Sequence, residues 1–126
     1  MRNQTGVHFL GRMEREVLAA TVKASAGLVF IPWFEGFGVP IVEAFASGVP
    51  VIASNRTAMP EVCGGAAVAL VEPDDANGIA SWMKRLEGDS ALRQETVERG
   101  LARAQAFSWD DSAAKLWTSI EQVLKP

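Results

Sequence analysis

Cysteine is nearly missing from this chain of 126 residues: Cys63 is the only one, so no intrachain disulfide can form. That usage suits a reducing compartment. Positive charge is not in excess either, with 12 Lys and Arg against 15 Asp and Glu and a net charge of -3. Such a balance lacks the electrostatic footprint of a nucleic-acid binder, and no nucleic-acid partner is expected. No window reaches the run of about 18 apolar residues that a membrane span needs. The opening MRNQTGVHFLG lacks the apolar core of a signal peptide. Internal repeats and low-complexity linkers are absent too. These absences together lead to the expectation of a soluble, cytoplasmic domain. What remains is a globular balance, 48% hydrophobic and 21% charged, in a length that fits one domain with a real core.

Four short apolar runs bounded by turn residues read as strands, at 7–10, 28–31, 51–53 and 67–71. Helical patterns lie between and after them. Residues 14–25 carry Val17, Leu18 and Val22 on one face and stop at Gly27. Residues 40–47 open with Pro40 and end before Gly48, the usual asymmetry of a short helix. Residues 75–87 carry Ile79, Trp82, Met83 and Leu86; residues 91–104 turn Leu92, Val97 and Leu101 inward. Residues 110–124 place Ala113, Leu116, Trp117, Ile120 and Val123 on one clear stripe. Alternating strands and helices predict a parallel sheet covered by helices, whose strands are buried on both faces and so read as continuous apolar runs. No strand separates the last two helices, which are expected to pack together against one side of the sheet.

The stretch PWFEGFGVPIVEAFASGVPVIAS, at 32–54, holds two carboxylates, Glu35 and Glu43, seven residues apart in apolar surroundings. In open α/β sheets ligands bind beyond the carboxyl ends of strands. The loop after the 28–31 strand carries Glu35, Gly36, Phe37 and Gly38, and its glycines allow close backbone approach to a ligand. The helix beginning near Pro40 offers free N–H groups and the positive end of its dipole, a ready place for phosphate. Glu43 is expected in the first turn of that helix. Ionised carboxylates only accept hydrogen bonds, which suits hydroxyl-rich ligands. The combination predicts a ligand with a central phosphate and hydroxylated rings on either side, as in a sugar nucleotide. A plainer reading stands beside it: a glutamate near a helix start is favourable for stability alone.

EGFGVPIVEAFASGVPVIASNRTAMPEVCGGAAVALVEPDD, followed by FSWDDSAAKLW, resembles the carboxyl-terminal half of the family-4, or group 1, retaining glycosyltransferases of the GT-B fold. The resemblance runs from about Val7 to the end. It implies a nucleotide-diphosphate sugar donor, UDP- or GDP-linked, and no cofactor or catalytic metal. Glu35 would serve as the catalytic-site carboxylate, contacting the transferred sugar near its anomeric carbon. Backbone N–H groups around Gly36, Phe37, Gly38 and Val39 would meet the sugar and diphosphate, and Glu43 would hold the ribose hydroxyls. Gly11 and Met13, in FLGRM, would line the nucleobase. The implied reaction is hexose transfer to a hydroxyl acceptor in bacterial polysaccharide or glycolipid synthesis, in the cytoplasm and at the inner face of the membrane for an intact enzyme. A non-catalytic nucleotide-binding or oligomerisation module descended from such an enzyme would look the same in sequence.

Two departures from the family pattern matter. Two residues, Trp33 and Phe34, stand between Pro32 and Glu35, where many members have three. The first two strand–helix units of the donor domain, which carry an arginine and a lysine for the diphosphate, have no counterpart before Val7, nor has the acceptor-binding amino-terminal domain. The expectation is therefore an α/β fold with a parallel Rossmann-like sheet, a single truncated donor-binding domain over 1–126. It would amount to about the later two-thirds of a domain of roughly 150–200 residues. In the strand order 3-2-1-4-5-6 the absent strands are central. Strands 7–10 and 28–31 would then either pair directly or rebuild the sheet in a homodimer through their open edges.

Other residues read more plainly. His8, the sole histidine, lies in the first strand and reads as structural. Cys63, with no cysteine partner, reads as a packed or surface thiol. Glu61, in a P-E motif, would support a short helix near the cleft. Trp33 and Phe34 read as packing rather than a sugar-stacking platform, and Trp82, Trp109 and Trp117 as core. Arg12, Arg15 and Arg56 lie near the ligand loops, where one could partly replace the missing basic pair, but read by default as solvated cations.

Overall fold

The computed structural model describes residues 5–124. The elements follow in the order α1 (Arg15–Lys23), β1 (Leu28–Phe30), α2 (Val39–Ala46), β2 (Val51–Ser54), α3 (Met59–Cys63), β3 (Ala69–Val71), α4 (Ala76–Gly88), α5 (Ser90–Ala104) and α6 (Trp109–Leu124). The strands form one sheet in the order β1-β2-β3, parallel throughout. Leu28, Val29 and Phe30 stand opposite Val51, Ile52 and Ala53, and Ile52, Ala53 and Ser54 opposite Ala69, Leu70 and Val71. All four residues of β2, three apolar and Ser54, are buried, as a central strand covered on both faces should be.

Alternation along β2 divides the core. Val51 and Ala53 point into a cluster with Ile41, Ala44 and Phe45 of α2 and Met59, Val62 and Cys63 of α3. Ile52 points the other way, to Val68, Val71 and Leu86, with Trp82, Ile79 and Leu92 half-buried around them. α2 and α5 cross closely enough that a Cβ on Gly100 would lie 2.8 Å from Phe45 Cδ1. Only glycine lets α5 lie so near. α4 and α5 are each started by an aspartate, Asp75 and Asp89, whose carboxylates accept the N–H groups of Gly78 and Leu92 at 2.9 Å.

Several expectations are corrected. Residues 7–10 are not a strand, and β1 takes only β2 as a neighbour among the described residues. An apolar run becomes a strand when another strand accepts its backbone, and none lies beside it here. Val7, His8, Phe9 and Leu10 are exposed instead, so His8 is no core histidine. Direct pairing of 7–10 with 28–31 is thereby excluded. α1 buries none of its residues, with Val17 and Leu18 exposed and only Val22 reaching the core. On α5, Thr96 and Gly100 are the buried residues, and Leu101 is exposed. α6 forms over nearly the expected span but buries nothing, so it does not pack with α5 onto the sheet as expected. Its stripe is in the open, with Leu116 62% and Trp117 61% exposed. Trp109 is exposed as well, and of the three tryptophans read as core only Trp82 packs against it. Trp33 and Phe34, read as packing, are 62% and 81% exposed because they ride at the crest of the loop leaving β1.

Candidate functional site

The site lies beyond the carboxyl ends of β1 and β2. β1 stops at Phe30, and residues 31–38 form the loop into α2. Gly38 is the residue before the helix and has φ of 90°, in the left-handed region that glycine occupies without strain. A Cβ there would also lie 2.7 Å from Met59 Cε. Both facts demand glycine. No side chain caps α2. Pro40 has no N–H, and that of Ile41 is taken by the Gly38 carbonyl at 3.0 Å. The N–H groups of Gly38 and Val39 are therefore what the helix start offers to a ligand.

Glu35 is half-buried in the loop. Its backbone N–H donates to Thr57 Oγ1 at 3.2 Å, and its carboxylate Oε1 accepts the N–H of Gly36 at 3.2 Å. Thr57 has φ of 50°, uncommon for a β-branched residue. The Glu35 contact thus fastens the loop to the turn that follows β2. Glu43 is exposed and lies in the second turn of α2, not the first, because the helix begins at Val39, ahead of Pro40. Neither glutamate is in an ion pair among the described residues. Gly11, with φ of 66°, and Met13, half-buried, sit on the bend before α1. No hydrogen bond among the described residues ties them to the 35–39 segment. Among the described residues, no group of three or more His, Cys, Asp or Glu could hold a metal ion.

Sequence reasoning missed the groups that brace this crevice. Glu72, just past β3, accepts Asn55 Nδ2 at 2.6 Å and Arg56 Nε at 2.9 Å. Those two donors, Asn55 first, hold its carboxyl below the usual range. Arg56 is thus engaged by Glu72 rather than free for an anion. Arg103 of α5 donates to the carbonyls of Val62 and Glu61 at 3.0 and 2.7 Å, closing the end of α3. Glu61 thereby takes part in the short helix expected near the cleft, through its backbone. Phe107 meets Phe37 edge-on. Cys63 is buried, and burial pushes its thiol up to about 11 against the opposing pull of Arg103. It is a packed thiol, as expected. Ser54 buries its hydroxyl at the end of β2 without a hydrogen-bond partner among the described residues. The motifs SNRTAMPE and FSW flagged these stretches in sequence, but nothing in one dimension brought Phe107 to Phe37.

A parallel sheet with a glycine loop at a strand end, two carboxylates and an uncapped helix start is the α/β arrangement in which ligands bind beyond the carboxyl ends of the strands. The family profile described as glycosyl transferases group 1 matches residues 1–89. The O-antigen chain mannosyltransferase B of Escherichia coli is 37% identical over 105 residues, 83% of this chain and 27% of that protein. The MMP alpha-(1->4)-mannosyltransferase of Mycolicibacterium hassiacum is 37% identical over 122 residues, 94% of this chain and 29% of that protein. Among solved structures, the sucrose-phosphate synthase of Thermosynechococcus elongatus superposes with a TM-score of 0.79 at 30% identity, over 92% of this chain and 30% of that one. This chain belongs to the group 1 glycosyltransferases. It spans under a third of the length of these relatives, and its fold, a three-stranded parallel sheet with flanking helices, matches part of that GT-B structure. No helix among the described residues is long and apolar enough to cross a membrane.

Proposed function

We propose that residues 1–126 are the later part of a single donor-binding domain, in a retaining glycosyltransferase that moves a hexose from a UDP- or GDP-linked sugar to a hydroxyl acceptor. The observation that carries this is the 35–39 segment. Two carboxylates, free of ion pairs among the described residues, flank a glycine loop that runs into an uncapped helix start at the end of a parallel strand. Glu35 accepts from hydroxyls of the transferred sugar. The N–H groups of Gly38 and Val39 meet the diphosphate, with the loop backbone at Gly36 and Phe37 beside the sugar, and Glu43 accepts from the ribose. Gly11 and Met13 line the base. Among the described residues the helix start supplies electrostatic stabilisation of the leaving diphosphate, while Arg56 is engaged by Glu72. The 126-residue chain therefore turns over negligibly by itself. The setting is bacterial polysaccharide or glycolipid synthesis, which the O-antigen chain and phosphatidyl-myo-inositol mannosyltransferase relatives support; the cytoplasmic face of the membrane is our inference for the intact enzyme. Calorimetry with UDP, GDP and their sugar conjugates tests this. The expected result is saturable binding that Glu43→Gln abolishes; no heat at millimolar nucleotide would refute it.

A second reading, an interaction module descended from such an enzyme, draws on the open flank of the sheet. The outer edge of β1 has no strand beside it among the described residues. Next to it Val29, Ile52, Met83 and Leu86 line a groove of about 460 Å³. A homodimer, or an amino-terminal part holding the acceptor domain, would cover both. Sedimentation across a range of concentrations separates these readings: self-association supports the dimer, and a concentration-independent monomer removes it.

A further inference from the structure

Phe107 lies far from the glycine loop in sequence, in the turn between α5 and α6, yet its ring meets that of Phe37 with centroids 5.7 Å apart and planes at 89°. The guanidinium carbon of Arg103 lies 4.8 Å from the Phe107 ring centroid. Arg103 is itself fixed by its bonds to the carbonyls of Val62 and Glu61. Phe107 also packs against the core cluster below α2, and its N–H is held by the Ala104 carbonyl at 3.1 Å. One line of contacts thus runs from the end of α3 through Arg103 and Phe107 into the middle of the 35–38 loop.

Such a brace has a physical purpose in this loop. Phe37 stands between Gly36 and Gly38, and glycines lose the most conformational freedom when ordered. Thr57 holds the loop at Glu35, and Met59 packs under Gly38. The segment between those points is restrained through the Phe37 ring, which is otherwise partly in solvent. Edge-to-face geometry fixes a direction as well as a distance, since ring edges and faces carry opposite partial charge. The cation over Phe107 adds an attraction of the same kind.

We propose that Phe107, oriented by Arg103, is a positioning residue for the donor: it holds the Phe37 backbone so that the N–H groups of Gly38 and Val39 converge on the diphosphate. This rests on the donor reading above. Residue-resolved amide exchange on the 126-residue chain tests the positioning, and calorimetry tests its link to the donor. Phe107→Leu is expected to speed exchange at the hydrogen-bonded amides of Glu35, Gly36 and Ile41 roughly two- to tenfold relative to β2, the range an edge-to-face pair supplies. Phe37→Leu does the same, and the double variant goes no further than either single one. Phe107→Tyr, which keeps the ring, leaves the parent rates. In calorimetry Phe107→Leu weakens a nucleotide-diphosphate sugar by a similar factor and leaves the nucleoside without phosphate, held at Glu43, unchanged. Unaltered loop exchange, equal acceleration of the loop and β2, or multiplying single effects would each overturn the positioning role. A parent chain that binds no nucleotide at all overturns the donor reading instead, while the exchange experiment still decides whether Phe107 holds the loop.

Discussion

α2 and α6 both carry an apolar stripe at helical spacing, and only α2 buries it. Ile41, Ala44 and Phe45 have no exposed surface, held between β2 and α5. Leu116, Trp117 and Val123 of α6 stand in solvent. α6 forms from local contacts, such as Trp117 Nε1 donating to Glu121 Oε1 at 2.8 Å one turn away. A stripe states what a helix can bury, whereas burial requires a surface opposite. α2 meets one in this chain and α6 does not. The candidate site falls on the well-packed side of this contrast, because the loop that carries Glu35 ends on α2.

The sharpest way to break the comparison is to truncate both stripes. Phe45→Ala is expected to cost about 3–5 kcal/mol in urea unfolding followed by circular dichroism. Leu116→Ser on α6 should stay within about 0.5 kcal/mol. Equal losses would mean that α6 is covered in solution. A smaller effect is expected at the seam between loop and α2. Gly38→Ala forces a side chain into a left-handed backbone and against Met59, at about 1–3 kcal/mol in the same assay; a neutral result would mean that the helix start is not held as seen. The weakest effect belongs to Glu72. Asn55 and Arg56 hold its carboxyl below the ordinary value of 4.5, so its contribution is present above that pH and is lost as pH falls through the lowered value. Because the group is exposed the effect is small. The parent chain should lose stability on acidification more steeply than Glu72→Gln, and identical slopes would contradict the assignment.

Much of the fold could be read in one dimension. The strand at 51–53 announced itself as a continuous apolar run between Gly-Val-Pro and a polar turn, and the structure extends it by Ser54 alone. Pro40 and Gly48 bounded α2 to within a residue or so. The run at 7–10 misled because an apolar segment without a neighbouring strand has nothing to pair with, and sequence does not reveal which neighbour a strand will have. The glutamate pair could be found by spacing, while its supports could not. Thr57 on Glu35, Glu72 on Asn55 and Arg56, and Phe107 on Phe37 are all contacts between separate loops. Placing Glu43 in the first turn failed for a local reason: Gly38 in a left-handed conformation lets the helix begin ahead of Pro40.

The most direct test of the central claim, that the 35–43 stretch is a nucleotide-sugar site, is a heteronuclear NMR titration of the chain with UDP- and GDP-linked hexoses. Saturable shifts centred on the amides of Gly36, Phe37, Gly38, Val39 and Glu43 are the predicted result. No shifts at millimolar ligand, or shifts centred on the groove beside Val29 and Met83, would contradict it.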